Sequence, residues 1–537
     1  DNDIGSLTYP NPIPYPSNYT NGFVTVMQPG KTPYNWINTN FNKPNNKDLV
    51  IYELLVRDFL STHSYLTLID TLDYLTELGV NAIELMPPGE FENNESWGYN
   101  PSFHMALDKY YGNPEHFKVF IDSCHGRGIA VIVDIVFNHA YGQNPMVNLY
   151  WDGINNQPAP NNPWFNSSCP HPPNCWGYDY NHESQATQNF MDRVNHCWLD
   201  EYHIDGFRYD FTKGFINNSN NYDNNIIQLL KRMADTIWSV HPDSYIILEH
   251  WADNNEEKIL SNYGMMLWGN ITHQYQESGM GYVNNSDLSW GIYSHRGWSN
   301  PHLITYMESH DEERIMYKNI TYGNSGQNHN VKNPLTALER CEALAVILLT
   351  TPGPKMIWQF GEQGYDISID YPCRVCNKPI LWQYLQENSR KRLFDVYKAT
   401  IELRKNYSTF TGNNFTYSLN QSVKTLTLND PNMNAVVLAN IDVQNQNKTQ
   451  PFQHNGWWYE YFSGDSILVS GNYDFTLKAG EYRIYTDQRL DTPNILNTTS
   501  IKEITEAKWE IITYPNPVKD FVNVKINGCA KAPIKIT

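Results

Sequence analysis

Three carboxylates follow short apolar runs in this sequence: Asp210 after Gly206-Phe-Arg-Tyr, Glu249 after Tyr245-Ile-Ile-Leu, and Asp311 after Leu303-Ile-Thr-Tyr-Met-Glu-Ser-His. Cleaving a glycosidic bond needs one carboxylate to attack, a second to protonate the leaving oxygen, and fixed negative charge beside an oxocarbenium-like transition state. Arg208 stands two residues before Asp210, so on a strand both side chains face one way and the guanidinium would keep the carboxylate ionised. Glu249 would lie in a partly desolvated mouth near other carboxylates, which raises a carboxyl pKa as a general acid requires. Each motif alone also has a plain structural reading. Arg208 and Asp210 fit a buried ion pair, Glu249 a helix cap or Lys partner, and Asp311, among Glu308, Glu312 and Glu313, a solvated acidic loop.

Two further segments end apolar stretches with polar groups, Asp134-Ile-Val-Phe-Asn138-His139 and Trp97-Gly-Tyr99-Asn100. Histidines among carboxylates raise the question of a metal centre, but neither His-x-His nor His-Glu-x-x-His spacing occurs. The elements that must position these groups alternate. Apolar runs at 50–56, 82–86, 130–137, 206–210, 245–249, 303–307 and 355–358 are separated by helix-like stretches such as 65–78, 114–125 and 226–240. Such alternation implies parallel pairing, and the number of units suits an α/β fold with a closed (β/α)8 TIM barrel over residues 46–405 better than the alternative, an open sheet. The Pro-, Asn- and Trp-rich stretch 140–185 predicts a subdomain inserted after the third strand. Residues 406–487 read as a small antiparallel β-sandwich, 488–510 as a linker, 511–537 as part of another β module, and 1–45 as an irregular extension.

The 57 acidic against 38 basic residues give a formal charge of −19, which repels polyanions and argues against nucleic acid as a partner. No run of about eighteen apolar residues could span a bilayer. Cys169/Cys175 and Cys373/Cys376 are close enough to staple loops, and disulfides suit them better than zinc; Cys124, Cys197 and Cys341 read as inert core thiols. No signal peptide opens the chain at Asp1, so an exported protein is expected here in processed form.

In order and spacing the four strand-end motifs around Asp134–His139, Arg208–Asp210, Glu249 and His310–Asp311 resemble the signature regions of the α-amylase family of glycoside hydrolases, over residues 48–487. The resemblance implies that Asp210 is the nucleophile, Glu249 the acid/base and Asp311 the transition-state stabiliser. It implies that Tyr99, His139, Arg208 and His310 line the subsite of the attacked sugar, that Asp134 organises it, and that Lys213 and Trp251 also contact substrate. It further implies retention of anomeric configuration, with the Asp210 and Glu249 carboxyls about 5 to 5.5 Å apart. A structural Ca2+ is implied between barrel and insert, with Asn138 and Asp179 as oxygen ligands, although Lys213-Gly214 stands where many amylases have Lys-His. The expected activity is hydrolysis of α-1,4 bonds in starch or glycogen by a monomer. The opening Asp48-Leu-Val-Ile-Tyr-Glu resembles branching and debranching enzymes and keeps α-1,6 cleavage or transfer as the alternative, while an inactive glycan-binding relative would require a missing carboxylate, and none is missing. Tyr514-Pro-Asn-Pro-Val518 resembles bacterial type IX secretion sorting domains, which implies a secreted or cell-surface protein, in keeping with paired cysteines.

Overall fold

The computed structural model describes residues 13–93, 95–217, 222–326 and 328–496, and the backbone of two strands at 510–514 and 523–527. Eight short strands, β1 (Val50–Leu54), β2 (Ala82–Leu85), β3 (Ala130–Ile135), β4 (Gly206–Tyr209), β5 (Tyr245–Leu248), β6 (Met266–Asn270), β7 (Leu303–Tyr306) and β8 (Lys355–Trp358), pair in parallel in sequence order. The ring closes where β1 pairs with β8 on one side and β2 on the other. Seven of these strands match the apolar runs; β6 was not anticipated. Nearly every strand residue is buried, as expected where both faces of a parallel sheet are covered.

The two-residue period divides each strand between two cores. Ile51, Ala82, Ile132, Ile247 and Met266 pack inside the barrel with Trp268, Ile304 and Tyr306. Val50, Tyr52, Ile83, Val131, Val133 and Ile246 face outward against the helices. Moving two residues along from the inward apolar layer gives Glu53, Glu84, Asp134, Arg208 and Glu249. The C-terminal mouth is therefore lined by charge held on a rigid apolar plug, the arrangement that puts chemistry at the top of a (β/α)8 barrel.

The helices wrap this ring. Pro114–His125 agrees with the sequence reading and starts on an Asn113 cap with Pro at its first turn. The stretch 65–78 is instead two helices, Tyr65–Leu68 and Leu72–Leu78, joined by a 3-10 turn; Gly79 ends the second at φ +97°, a left-handed conformation that suits glycine. The third long segment runs Asn224–Trp238.

Between β3 and the helix Gln185–Tyr202 lies the insert, with short antiparallel pairs His139–Ala140 with Tyr178–Asp179 and Trp151–Asp152 with Gln157–Pro158. Cys169–Cys175 closes a loop within it, and Cys373–Cys376 closes another after β8. Cys124 and Cys341 are buried, whereas Cys197 is only half-buried rather than a full core thiol. After the barrel, a six-stranded antiparallel sheet and the pair Gln446–Pro451 with Asn472–Leu477 share a core of Val436, Leu438, Trp458 and Phe475. This β region and the barrel make one compact unit through Ile495, tied by buried Arg340, which donates to the carbonyls of Ser278 and Ile441. The remainder, from Leu496, forms a second unit, in which Glu510–Tyr514 and Asn523–Asn527 pair antiparallel. Most of the expected sorting module at 511–537, with Cys529, lies outside the described residues, as does most of the 488–510 linker. Among the described residues no helix is long and apolar enough to cross a membrane.

Candidate active site

Parallel register sets Arg208 on β4 level with Asp134 on β3, and Asp210 and Glu249 just past the ends of β4 and β5. Arg208 is fully buried, its guanidinium 4.2 Å from the Trp268 ring centre. Its Nη1 donates to both Asp134 oxygens at 2.9 Å and to Asp210 Oδ1 at 3.2 Å, and its Nη2 to Glu249 Oε2 at 2.5 Å. One fork thus fixes three carboxylates, as a rigid guanidinium does better than a flexible ammonium. Phe211 is held at φ +37°, and in that turn its amide N–H donates to Glu249 Oε2 at 3.1 Å. Trp251, beside Glu249, is also left-handed, at φ +42°. Such strain outside glycine is characteristic of functional turns.

Asp210 and Glu249 thus sit side by side, each accepting from one of the two terminal nitrogens of the same guanidinium. Burial raises the Glu249 carboxyl above its ordinary value; Arg208 opposes this, and the charges of Asp210 and Asp311 add to it. Asp210 is raised mainly by burial, with Arg208 pulling it down. Burial acts on Asp311 in the same direction, but His310, Arg208 and Arg374 outweigh it and hold that carboxyl below the usual range. The three acids therefore divide into protonated and ionised groups through their neighbours.

His310 Nδ1 donates to Glu53 Oε1 at 2.5 Å and its Nε2 faces Asp311 Oδ2 at 3.5 Å. Burial alone would lower the imidazole, yet Asp311 and Glu53 raise it to about 10, so it is a cation. His139 is the opposite case: burial lowers it to about 4, and as a neutral ring its Nε2 donates to the Tyr99 carbonyl at 2.9 Å. Tyr99 donates its hydroxyl to Asp134 Oδ2 at 2.6 Å and stacks on His310 with ring centres 5.1 Å apart. These groups open onto a cleft of about 780 Å³ lined also by Trp97, Trp176, Trp251 and Arg374. Trp176 and Trp251 are each 44% exposed, flat apolar faces beside fixed acids, the surfaces on which sugar rings stack.

The structure brings together Tyr99, Asp134, His139, Arg208, Asp210, Glu249, Trp251, His310 and Asp311. It does not bring Lys213 there. The 3-10 turn Thr212–Phe215 carries Lys213 apart from the residues that line the cleft, and its Nζ pairs with buried Glu256 at 2.7 and 3.0 Å. Glu53, Trp176 and Arg374 were missed. Glu53 had a signal, a lone acid in the apolar run Val50–Leu54. Trp176 and Arg374 sit in irregular loops with no periodicity to place them.

Asn138 and Asp179 lie side by side through the pairing of His139 with Asp179. Asn138 Oδ1 and Asp179 Oδ1 are buried and accept no hydrogen bond among the described residues. The Gly214 backbone crowds the same place: a Cβ there would stand 2.0 Å from Asn138 Oδ1, which explains glycine after Lys213. Two unsatisfied oxygens fit an oxygen-seeking cation such as Ca2+. His171 faces the same place with Nε2 3.9 Å from Asp179 Oδ1, but burial lowers its imidazole, so it is a neutral ring and supplies no counter-charge.

The α-amylase catalytic-domain family model matches residues 65–184. The malto-oligosyltrehalose trehalohydrolase of Saccharolobus solfataricus is 31% identical over 244 residues, 45% of this chain and 38% of that protein. The chloroplastic isoamylase SU1 of Zea mays is 35% identical over 214 residues, 33% of this chain and 26% of that one. The matches thus span less than half of these relatives' lengths. An Anoxybacillus α-amylase structure superposes with a TM-score of 0.66 at 19% identity, covering 83% of this chain and 98% of that one, a likeness of fold. Residues 65–184 thus match the α-amylase catalytic-domain model, and the chain has the (β/α)8 barrel fold seen in a solved α-amylase.

Proposed function

We propose that this chain is a retaining glycoside hydrolase that cleaves α-1,4-glucosidic bonds in starch- or glycogen-type polysaccharides. The observation that carries this reading is the Asp210–Glu249 pair, held on the two nitrogens of the single Arg208 fork at the floor of an aromatic-lined cleft. An inverting enzyme must leave room for a water between its carboxyls, roughly 6.5 to 9.5 Å; carboxyls held on neighbouring nitrogens of one guanidinium favour direct attack.

In this mechanism an α-glucan lies across Trp176 and Trp251 with one sugar over Tyr99. Glu249, the protonated member of the pair, gives its proton to the glycosidic oxygen as that bond breaks. Asp210, kept anionic by Arg208, bonds to the anomeric carbon. Asp311, ionised beside His310, supplies negative charge near the sugar ring while positive charge develops there. Glu249 then takes a proton from water, whose oxygen displaces Asp210, and the configuration is retained. A cation between Asn138 and Asp179 would supply structure only, joining insert to barrel.

Product anomers followed by proton NMR on maltoheptaose test the stereochemistry: the α anomer should appear first, and early β anomer would overturn the mechanism. Asp210→Asn should abolish turnover while oligosaccharide binding persists; near-normal activity in that variant would refute the nucleophile assignment. A second reading, cleavage of α-1,6 bonds, is favoured by the likeness to an isoamylase. Parallel digestion of amylose and pullulan separates the two by product size. Secretion is supported by the two disulfide-closed loops, a chemistry typical of exported proteins.

A further inference from the structure

The loop after β8 contributes a cation to the cleft that no sequence motif announced. Asp311 lies between two positive groups, one on each carboxylate oxygen. His310 Nε2 is 3.5 Å from Oδ2, and Arg374 Nη2 is 3.0 Å from Oδ1 and 2.5 Å from the Asp311 carbonyl oxygen. Arg374 is 42% exposed in its side chain, and an exposed ion pair between flexible chains ordinarily contributes little. This one is not on a free chain. The Cys373–Cys376 bond closes a ring of four residues around it.

Buried Arg57 donates to the carbonyls of Val375 at 2.9 Å and Cys376 at 3.1 Å, fixing that ring to the end of β1. Lys378 Nζ donates to the carbonyls of Tyr371 and Cys373. From the other side Glu313, two residues after Asp311, accepts from the Ser368 hydroxyl and the Ile369 amide, both at 2.7 Å. The guanidinium itself is oriented by Asp370 Oδ1 at 3.0 Å and lies 5.6 Å from the Trp97 ring centre. Loop and Asp311 turn are thus stitched together, with the Arg374 fork as the point where they meet in the cleft.

We propose that Arg374 is a positioning residue for glycoside cleavage: its guanidinium, aimed by the Cys373–Cys376 ring, holds the Asp311 carboxylate in the orientation and charge state that the transition state needs. The proposal rests on the reading of Asp311 as the stabilising carboxylate. Arg374 also walls one side of the cleft, so a sugar that binds there packs beside the guanidinium and need not displace it. A role through Asp311 separates from a role in binding, because it weakens the transition state more than the ground state.

The test is steady-state hydrolysis of maltoheptaose by the full chain carrying Arg374→Ala, Arg374→Lys, Asp311→Asn, and Arg374→Ala with Asp311→Asn. Two unit charges this close at a partly solvated site support an effect of about tenfold on kcat. Arg374→Ala should lose about that factor with KM changed less than about twofold, and Arg374→Lys should recover part of the loss. In the Asp311→Asn background Arg374→Ala should have no further effect, because the group it positions is gone. A Cys376→Ser variant, which opens the ring and leaves Arg374 in place, should reproduce part of the Arg374→Ala loss.

If Asp311→Asn is inactive but Arg374→Ala keeps full kcat, the proposal is overturned and the reading of Asp311 stands. If Asp311→Asn remains fully active, that reading itself fails. A rise in activity in Arg374→Ala would overturn the proposal by making the guanidinium an obstruction. A change confined to KM would overturn it by making Arg374 a binding contact only.

Discussion

Replacing Glu53 by Gln removes an anion that faces His310 at 2.5 Å in a pair where neither side chain is more than 3% exposed. The imidazole lies at about 10 against an ordinary 6.5. At 1.36 kcal/mol for each tenfold change in proton affinity, that gap corresponds to about 5 kcal/mol favouring the charged folded form. Burial opposes this rise most and Arg208 adds to the opposition, while Asp311 by its charge and Glu53 by both its charge and a hydrogen bond produce it. Losing Glu53 should therefore cost about 3 kcal/mol, the lower end for breaking a buried pair. The direction with pH is fixed by linkage. A histidine raised by folding contributes its full stability below its unfolded value of 6.5 and loses it as pH climbs through about 10. The deficit of Glu53→Gln should be largest near pH 6 and shrink toward pH 10. Urea unfolding of both proteins at pH 6 and 9.5 measures that difference, and ring-carbon NMR of labelled histidine follows the titration directly. In catalysis, Asp311 should lose its imidazolium neighbour at lower pH in the variant, so kcat should fall earlier on the alkaline side. A stability deficit that is equal at pH 6 and 9.5, or a His310 titration unmoved by the substitution, would refute the assignment of charge to this pair.

Because burial and two neighbouring acids raise Glu249, the alkaline limb of kcat/KM should lie well above the ordinary glutamate value of 4.5, and a limb at that value would contradict the acid assignment. Lys213→Met leaves buried Glu256 with His250 but without its ammonium, so a stability loss of about 3 kcal/mol is expected with KM for maltoheptaose unchanged. A large rise in KM would return Lys213 to the cleft. Calcium should raise and a chelator lower the melting temperature of the full chain through Asn138 and Asp179, as followed by differential scanning fluorimetry. An unchanged melting temperature would refute the cation site and leave Asp179, raised to about 7 by burial, neutralised by its own proton.

Much of the barrel was legible because a strand buried on both faces must be apolar along its length, so the residue where the run stops marks the mouth. That logic located Asp134, Asp210 and Glu249 in sequence. It missed β6, because Met266-Leu-Trp-Gly-Asn270 contains a glycine and no β-branched residue. Gly269 is there for packing: a Cβ would stand 2.7 Å from Leu303, so the neighbouring strand excludes a better strand former. Lys213 was misplaced for a different reason. Its position after the nucleophile suggested the cleft, but on the 3-10 turn that begins after left-handed Phe211 its ammonium is taken by buried Glu256. Arg374 was invisible because its role depends on Arg57 and Glu313, which are distant in sequence and whose own motifs look like ordinary charges.

The inward layer at the mouth also dictates which acid is protonated. Glu53, Glu84, Asp134, Asp210, Glu249 and Asp311 converge there, and the buried cations among them are Arg208 and His310. Six negative charges beside two positive ones in a desolvated space are untenable, so protons must be retained. Glu84 retains one: both its oxygens are buried and accept no hydrogen bond among the described residues, and burial with the nearby Glu53 holds it well above the usual range. The next proton goes to whichever remaining acid has the least cationic support. Asp134 takes both oxygens of its partnership from Arg208, and Asp311 is covered by His310 and, at the rim, Arg374. That leaves the Asp210–Glu249 pair, in which Glu249 is raised further, to about 8 against about 6, so its proton is the one available to a leaving oxygen. The acid/base assignment thus follows from charge balance across the barrel mouth as well as from the positions of two side chains, and altering Glu53, His310 or Arg374 should change the acidity of Glu249 without touching it.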